Sequence, residues 1–175
     1  MSARHNHTKR ISVCAMMAAL GVVILYMGSL ISVADISMAV IASLLCILAT
    51  IEYGRGAAFS LFFVTAVLSV VLLPQKSPAV MYALFFGYYP ILKEMFERKK
   101  KFISWVLKEL VFHAALIAIF FAFKYLLAEN VQAHMIVYIT GLMLCEVIFV
   151  LYDIALTRLV SFYFFKLRDR FKFIR

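Results

Sequence analysis

Six apolar stretches divide this chain, and its positive charges fall almost entirely on one side of them. Counting alternately across the stretches, 15 of the 18 Lys and Arg residues lie in segments that share a face. Lys76 and Lys124 map to the other face, and Lys108 lies within the fifth stretch. Basic loops set the orientation of multi-pass membrane proteins. The pattern therefore fixes class, span number and orientation together: an all-α integral membrane protein, a bundle of six spans with both termini cytoplasmic.

Composition agrees. Of 175 residues, 66% are apolar and 15% are charged. A soluble fold has no means of hiding that much apolar surface, so lipid is expected to be one of its solvents. Six spans of about 20 residues each consume about two thirds of the chain, which leaves no second soluble domain. The net charge of +9 is explained by orientation, and nucleic acid is not an expected partner. Cys14, Cys46 and Cys145 sit inside apolar stretches without metal or redox spacing and read as packing residues.

The expected organisation is a basic N-terminus over residues 1–10, a six-helix domain over 11–160, and a basic aromatic tail over 161–175. Span one runs over Ile11–Ile31. It is too long for a signal-peptide core, and its removal would strand an odd number of spans, so it is expected to stay. Span two covers Ile36–Ile51, and Glu52–Gly56 forms a glycine-rich turn. Span three covers Ala57–Leu73. Pro74 and Pro78 bracket the next turn, with Pro78 suited to a helix start. Span four, Ala79–Leu92, is short. Charge still requires it to cross, because otherwise Arg98–Lys101 would lie outside. Pro90 is expected to bend it. Span five covers Phe102–Leu127 with Trp105 near its cytoplasmic end. Span six starts near Met135 and runs past Arg158. The tail alternates aromatic and basic residues and suits an anionic inner leaflet.

Charges within spans each need a reason, because one at mid-bilayer costs about 2.5–3.5 kcal/mol. Matching depth along antiparallel spans five and six predicts a Lys108–Asp153 pair near the inner interface. It also predicts a His113–Glu146 contact deeper in. Glu146 and Asp153 are seven apart and share a helix face.

No enzyme signature is present: no Walker loop, no GxSxG, no HExxH and no paired-glutamate protease motif. No catalytic residue and no cofactor are expected. His113, His134 and Glu146 lack ligand spacing, and depth separates His134 from His113, so no metal is expected either. The outer connections carry Asp35, Gln75, Lys76, Lys124, Glu129, Asn130, Gln132 and His134, with Tyr82 and Tyr138 about one turn inside. Aromatic walls with a few convergent polar groups are what small-ligand pockets use.

The first helix carries Ala15-Met16-Met17-Ala18-Ala19 in its cytoplasmic half. Small residues four apart let another helix approach closely. The same spacing occurs at Ala114, Ala118 and Ala122 and at Ala39 and Ser43. It is the position of Ala15 and Ala19, with six short helices in under 200 residues, that resembles the S component of energy-coupling factor transporters. That resemblance implies a substrate-binding membrane subunit of an ATP-driven importer, in the cytoplasmic membrane. Ala15 and Ala19 would dock on a transmembrane coupling subunit that sits on two ATP-binding subunits. A vitamin or similar micronutrient would bind from outside in a cavity closed by the first and third loops. Asp35, Tyr82, Asn130, His134 and Glu146 would face it. The alternative expectation is a non-transporting scaffold of the cell envelope, interacting through its alanine faces and basic tail. A membrane enzyme holding a lipid-linked phosphate in the inner Lys and Arg clusters ranks below both.

Overall fold

Helix follows helix throughout the computed structural model, which describes residues 2–126, 135–163 and 165. The chain divides into two units, Met1–Ala128 and Glu129–Arg175.

In the first unit, α1 spans Ser2–Leu30, α2 Asp35–Tyr53 and α3 Arg55–Leu72. The short α4, Ser77–Met81, runs into a π-helical segment, Tyr82–Phe86, before α5, Tyr89–Phe96, and α6, Lys101–Leu126. Taken as one interrupted rod, α4 to α5 makes the fourth of six helical rods, and α7, Met135–Phe162, is the last. Among the described residues, four helices are long and apolar enough to cross a membrane: Thr8–Leu30, Asp35–Tyr53, Arg55–Leu72 and Lys101–Tyr125.

Among the described residues the expected spans fall on helix with shifted ends, the fourth broken at Gly87 and Tyr88. α1 extends back into the basic N-terminus. The expected five-residue turn at Glu52–Gly56 shrinks to Gly54 alone, whose φ of 81° is a left-handed value that suits glycine. Pro78 lies in the first turn of α4 as expected. The rod around Pro90 is interrupted rather than simply bent. The Gly87 N–H reaches back five residues to the Tyr82 carbonyl at 2.8 Å, and Pro90 then sits in the first turn of α5. A proline there has no N–H to waste, so the break and the proline reinforce each other.

Packing on α1 to α3 places mostly small residues inside and large ones outside. α1 buries Ala18, Gly21, Val22, Leu25, Gly28 and Ser29 at three- and four-residue spacing. α2 buries Ala39, Ala42, Ser43, Cys46, Ala49 and Thr50, and α3 buries Ala57, Ala58, Leu61, Thr65, Ala66 and Ser69. Met16, Phe63, Val71 and Leu110 are each more than three-fifths exposed. Gly21 faces Thr65 and Leu45, and Gly28 faces Met38 and Pro78, so α1 passes at near-backbone distance from its neighbours. Close approach of this kind gains dispersion contacts without needing a water-driven core. Buried hydroxyls on these helices turn back to their own backbone. Ser43 Oγ donates to the Val40 carbonyl at 2.6 Å and Thr50 Oγ1 to the Cys46 carbonyl at 2.7 Å.

A second cluster is aromatic. Phe62 on α3 meets Tyr82 and Tyr88 at 6.1 and 5.9 Å between ring centres, and Phe85 meets Phe112 of α6 at 5.6 Å. Gly87 makes room for this cluster: an added Cβ would lie 2.5 Å from the Phe62 ring.

In the second unit, the less exposed positions of α7 recur at Glu146, Phe149, Tyr152–Asp153 and Leu156. Glu146 and Asp153 thus share a face, as their spacing predicts. Thr157 Oγ1 donates to the Asp153 carbonyl at 2.9 Å, and Ser161 Oγ to the Thr157 carbonyl at 3.0 Å.

Candidate functional site

Two features of the first unit gather chemistry: an ionic network and a groove, both toward the end that carries Arg10, Arg55 and Lys93–Lys101.

The network starts from helical spacing. Lys93 and Glu97 are four apart on α5, and the Lys93 Nζ lies 2.6 Å from Glu97 Oε1. The connection at Arg98–Lys100 then turns the chain into α6, which brings the Lys108 Nζ to 3.1 Å from the same oxygen. Lys93 and Lys108 are only 2% and 4% exposed. Their ammonium groups therefore meet a carboxylate in a setting where an uncompensated charge is expensive. Lys108 also lies over the Trp105 ring, 5.7 Å from its centre. Beside this group, Glu94 accepts from Arg98 Nε at 2.8 Å and forms an ion pair with Arg55 Nε at 3.4 Å. The last pair ties the start of α3 to α5.

The groove lies between α1 and α3, which run side by side in the same direction. Arg10, Ile11, Cys14, Ala15 and Ala18 form one wall, and Gly56, Ala57, Ser60, Leu61 and Val64 the other. It encloses about 400 Å³. Ala15 and Ala19 are both exposed and sit one turn apart, whereas Ala18 between them is buried. The expected docking residues are therefore on the surface, and Ala15 also borders the groove.

The expected ligand residues are placed as follows. Asp35 is the first residue of α2, 7% exposed, and its Oδ1 has no hydrogen-bond partner among the described residues. A carboxylate suits that helix start through the macrodipole. Tyr82 is wholly buried, with its hydroxyl 3.1 Å from Cys46 Sγ. Cys46 lies eleven residues beyond Asp35 on α2, so the Tyr82 hydroxyl stands about 16 Å further along that helix. Glu146 is half-buried on α7. Asn130 and His134 lie outside the described residues.

Of the expected intramembrane pairs, Lys108 and His113 belong to the first unit and Asp153 and Glu146 to the second. Within its own unit, His113 Nδ1 lies 2.9 Å from the Glu109 carbonyl oxygen and 3.8 Å from Glu109 Oε2. Sequence reasoning overlooked Glu97 and Glu109 as partners. Both were signalled by the four-residue spacings Lys93–Glu97 and Glu109–His113. It also overlooked the α3 wall of the groove, because small-residue spacing was read on α1, α2 and α6 but not on α3. The three cysteines are free.

No protein-family model, no curated protein and no solved structure matches this chain.

Proposed function

We propose that this chain is a multi-pass subunit of the cytoplasmic membrane that works by docking. In its specific form, it is the substrate-binding subunit of an importer of the energy-coupling factor kind. Both termini would be cytoplasmic, because that orientation puts the basic end of the first unit inside. The distribution of size along α1 to α3 supports the membrane reading: small and hydroxylated residues make up most of their buried positions, and large apolar ones face outward.

One observation carries the docking reading. Ala15 and Ala19 are exposed and one turn apart in the basic half of α1. Elsewhere on α1 the small residues Ala18, Gly21 and Gly28 are buried against neighbouring helices. Small residues on an outer face serve no packing within the chain and offer a partner helix a close approach. The test replaces both with leucine. Ala15→Leu with Ala19→Leu should abolish co-purification with a transmembrane coupling subunit and its ATP-binding subunits. Melting of the isolated chain should be unchanged. Undiminished co-purification would sink the docking reading.

The scaffold alternative draws on Tyr82. That residue, expected to line a ligand cavity, is enclosed in the core against Cys46. Mass spectrometry of small molecules released from the detergent-purified chain separates the two. A metabolite held in stoichiometric amount supports the importer, and its repeated absence supports the scaffold.

A further inference from the structure

We propose that the groove between α1 and α3 holds one anionic phospholipid, with its phosphate at Arg10 and an acyl chain laid along Ala15, Ala18 and Leu61. This inference rests on the membrane reading above but not on the docking reading.

The groove is polarised as an amphiphile is. From Arg10 to Ala18 on α1, and from Gly56 to Val64 on α3, it runs about 12 Å along the helices. Beyond its first turn the lining is apolar apart from Cys14 and Ser60. At the Arg10 end, two anion-favouring features converge. Arg10 has no hydrogen bond or ion pair among the described residues. The neighbouring Arg55 is occupied by Glu94 at 3.4 Å, which leaves Arg10 as the available guanidinium. The second feature is the start of α3, an 18-residue helix beginning at Arg55, next to Gly56, whose first turn has no side-chain cap. Gly56 is exposed, and a Cβ there would meet nothing within 4 Å, so the mouth of the groove is open.

Charge complementarity selects the occupant. A free phosphate would have no use for the apolar trough, and a neutral lipid none for Arg10. A basic residue at the cytoplasmic interface with an apolar track leading into the bilayer matches an anionic lipid of the inner leaflet. The groove borders Ala15 but not Ala19. The lipid and the docking face therefore share Ala15 and part at Ala19.

The full chain is reconstituted in nanodiscs of equal parts phosphatidylglycerol and phosphatidylcholine, extracted gently, and its retained lipids counted by native mass spectrometry. The wild-type chain should keep phosphatidylglycerol in preference. Arg10→Gln should reduce that preference by about fivefold, the effect of one interfacial cation on an anionic lipid. Gly56→Leu should lower retention of both lipids by plugging the mouth. A Cβ at Gly56 meets nothing within 4 Å and leucine replaces a poor helix former, so Gly56→Leu should fold. Equal retention of the two lipids by wild type, or no change in either variant, would overturn the proposal. So would release of a bound polypeptide by Gly56→Leu. A chain that stays in solution without detergent would remove the membrane reading together with the lipid. Loss of docking in Ala19→Leu, at a residue that does not border the groove, while lipid retention persists would confirm that the two surfaces are separable.

Discussion

The Tyr82 hydroxyl meets the Cys46 sulfur at 3.1 Å, in full burial, across 36 residues of chain. This contact joins the π-helical segment to the middle of α2. Most of the tie is the ring, which also packs against Phe62 at 6.1 Å. Tyr82→Phe should therefore cost only about 1 kcal/mol, the net worth of one hydrogen bond. Tyr82→Ala should cost about 3–5 kcal/mol, because the cavity it leaves lies among helices already in close contact. Thermal unfolding in detergent reads both. A Tyr82→Phe loss as large as that of Tyr82→Ala would mean that the hydroxyl, not the ring, holds the segment.

Glu97 serves two buried ammonium groups, so its loss and theirs should not be symmetric. Glu97→Ala withdraws one carboxylate from both Lys93 and Lys108. It should destabilise by about 3 kcal/mol, at the low end for a broken buried pair because Glu97 is itself partly exposed. Lys93→Met leaves Glu97 with Lys108 and keeps the apolar stem, so it should cost less than about 1 kcal/mol. Chemical denaturation of the two variants side by side checks the order. The reverse order would show that Lys93, rather than Glu97, is the hub.

Two glycines should respond oppositely to alanine. At Gly28 an added Cβ would sit 2.8 Å from the Met38 Cβ, an atom fixed to the α2 backbone. Gly28→Ala should cost about 1–3 kcal/mol through overpacking. At Gly56 the space is open, and Gly56→Ala should stabilise by about 0.4–1 kcal/mol by restricting the unfolded chain. Melting temperatures of the two variants should therefore move in opposite directions. A stabilising Gly28→Ala would mean that α1 and α2 do not pass as closely as described.

Helix positions were legible in the sequence because apolar length and loop charge are strong, additive signals. The fourth rod was read from its apolar run, with the charge on Arg98–Lys101 as the argument that it crosses; its helices are present, but it is not among the helices long enough to span. Its interior was not legible. Nothing in Tyr82–Phe86 marks a π-helical segment, which arises from tertiary crowding of Phe62, Tyr82 and Gly87. Site chemistry was legible where it is local and obscure where it is not. The spacing of Lys93 and Glu97 was readable, whereas the arrival of Lys108 at the same carboxylate depends on how α5 turns into α6. Asp35 and Tyr82 were grouped by nearness to an outer connection. The helical rise along α2 sets them far apart, because Tyr82 pairs with Cys46 and not with the helix start.

The small-residue interior has a consequence for how this chain changes over generations. Its outward positions, such as Met16, Phe63, Val71 and Leu110, need only stay apolar, so Leu, Ile, Val, Phe and Met are interchangeable there. Positions such as Gly21, Gly28, Thr65 and Gly87, pinned by neighbours within 3.5 Å, have no such freedom. Descendants of one ancestor would soon lose overall likeness while keeping a sparse skeleton of glycine, alanine, serine and threonine at fixed intervals. A search weighted toward that skeleton and blind to the choice of large apolar residue is the one suited to finding the relatives of this chain.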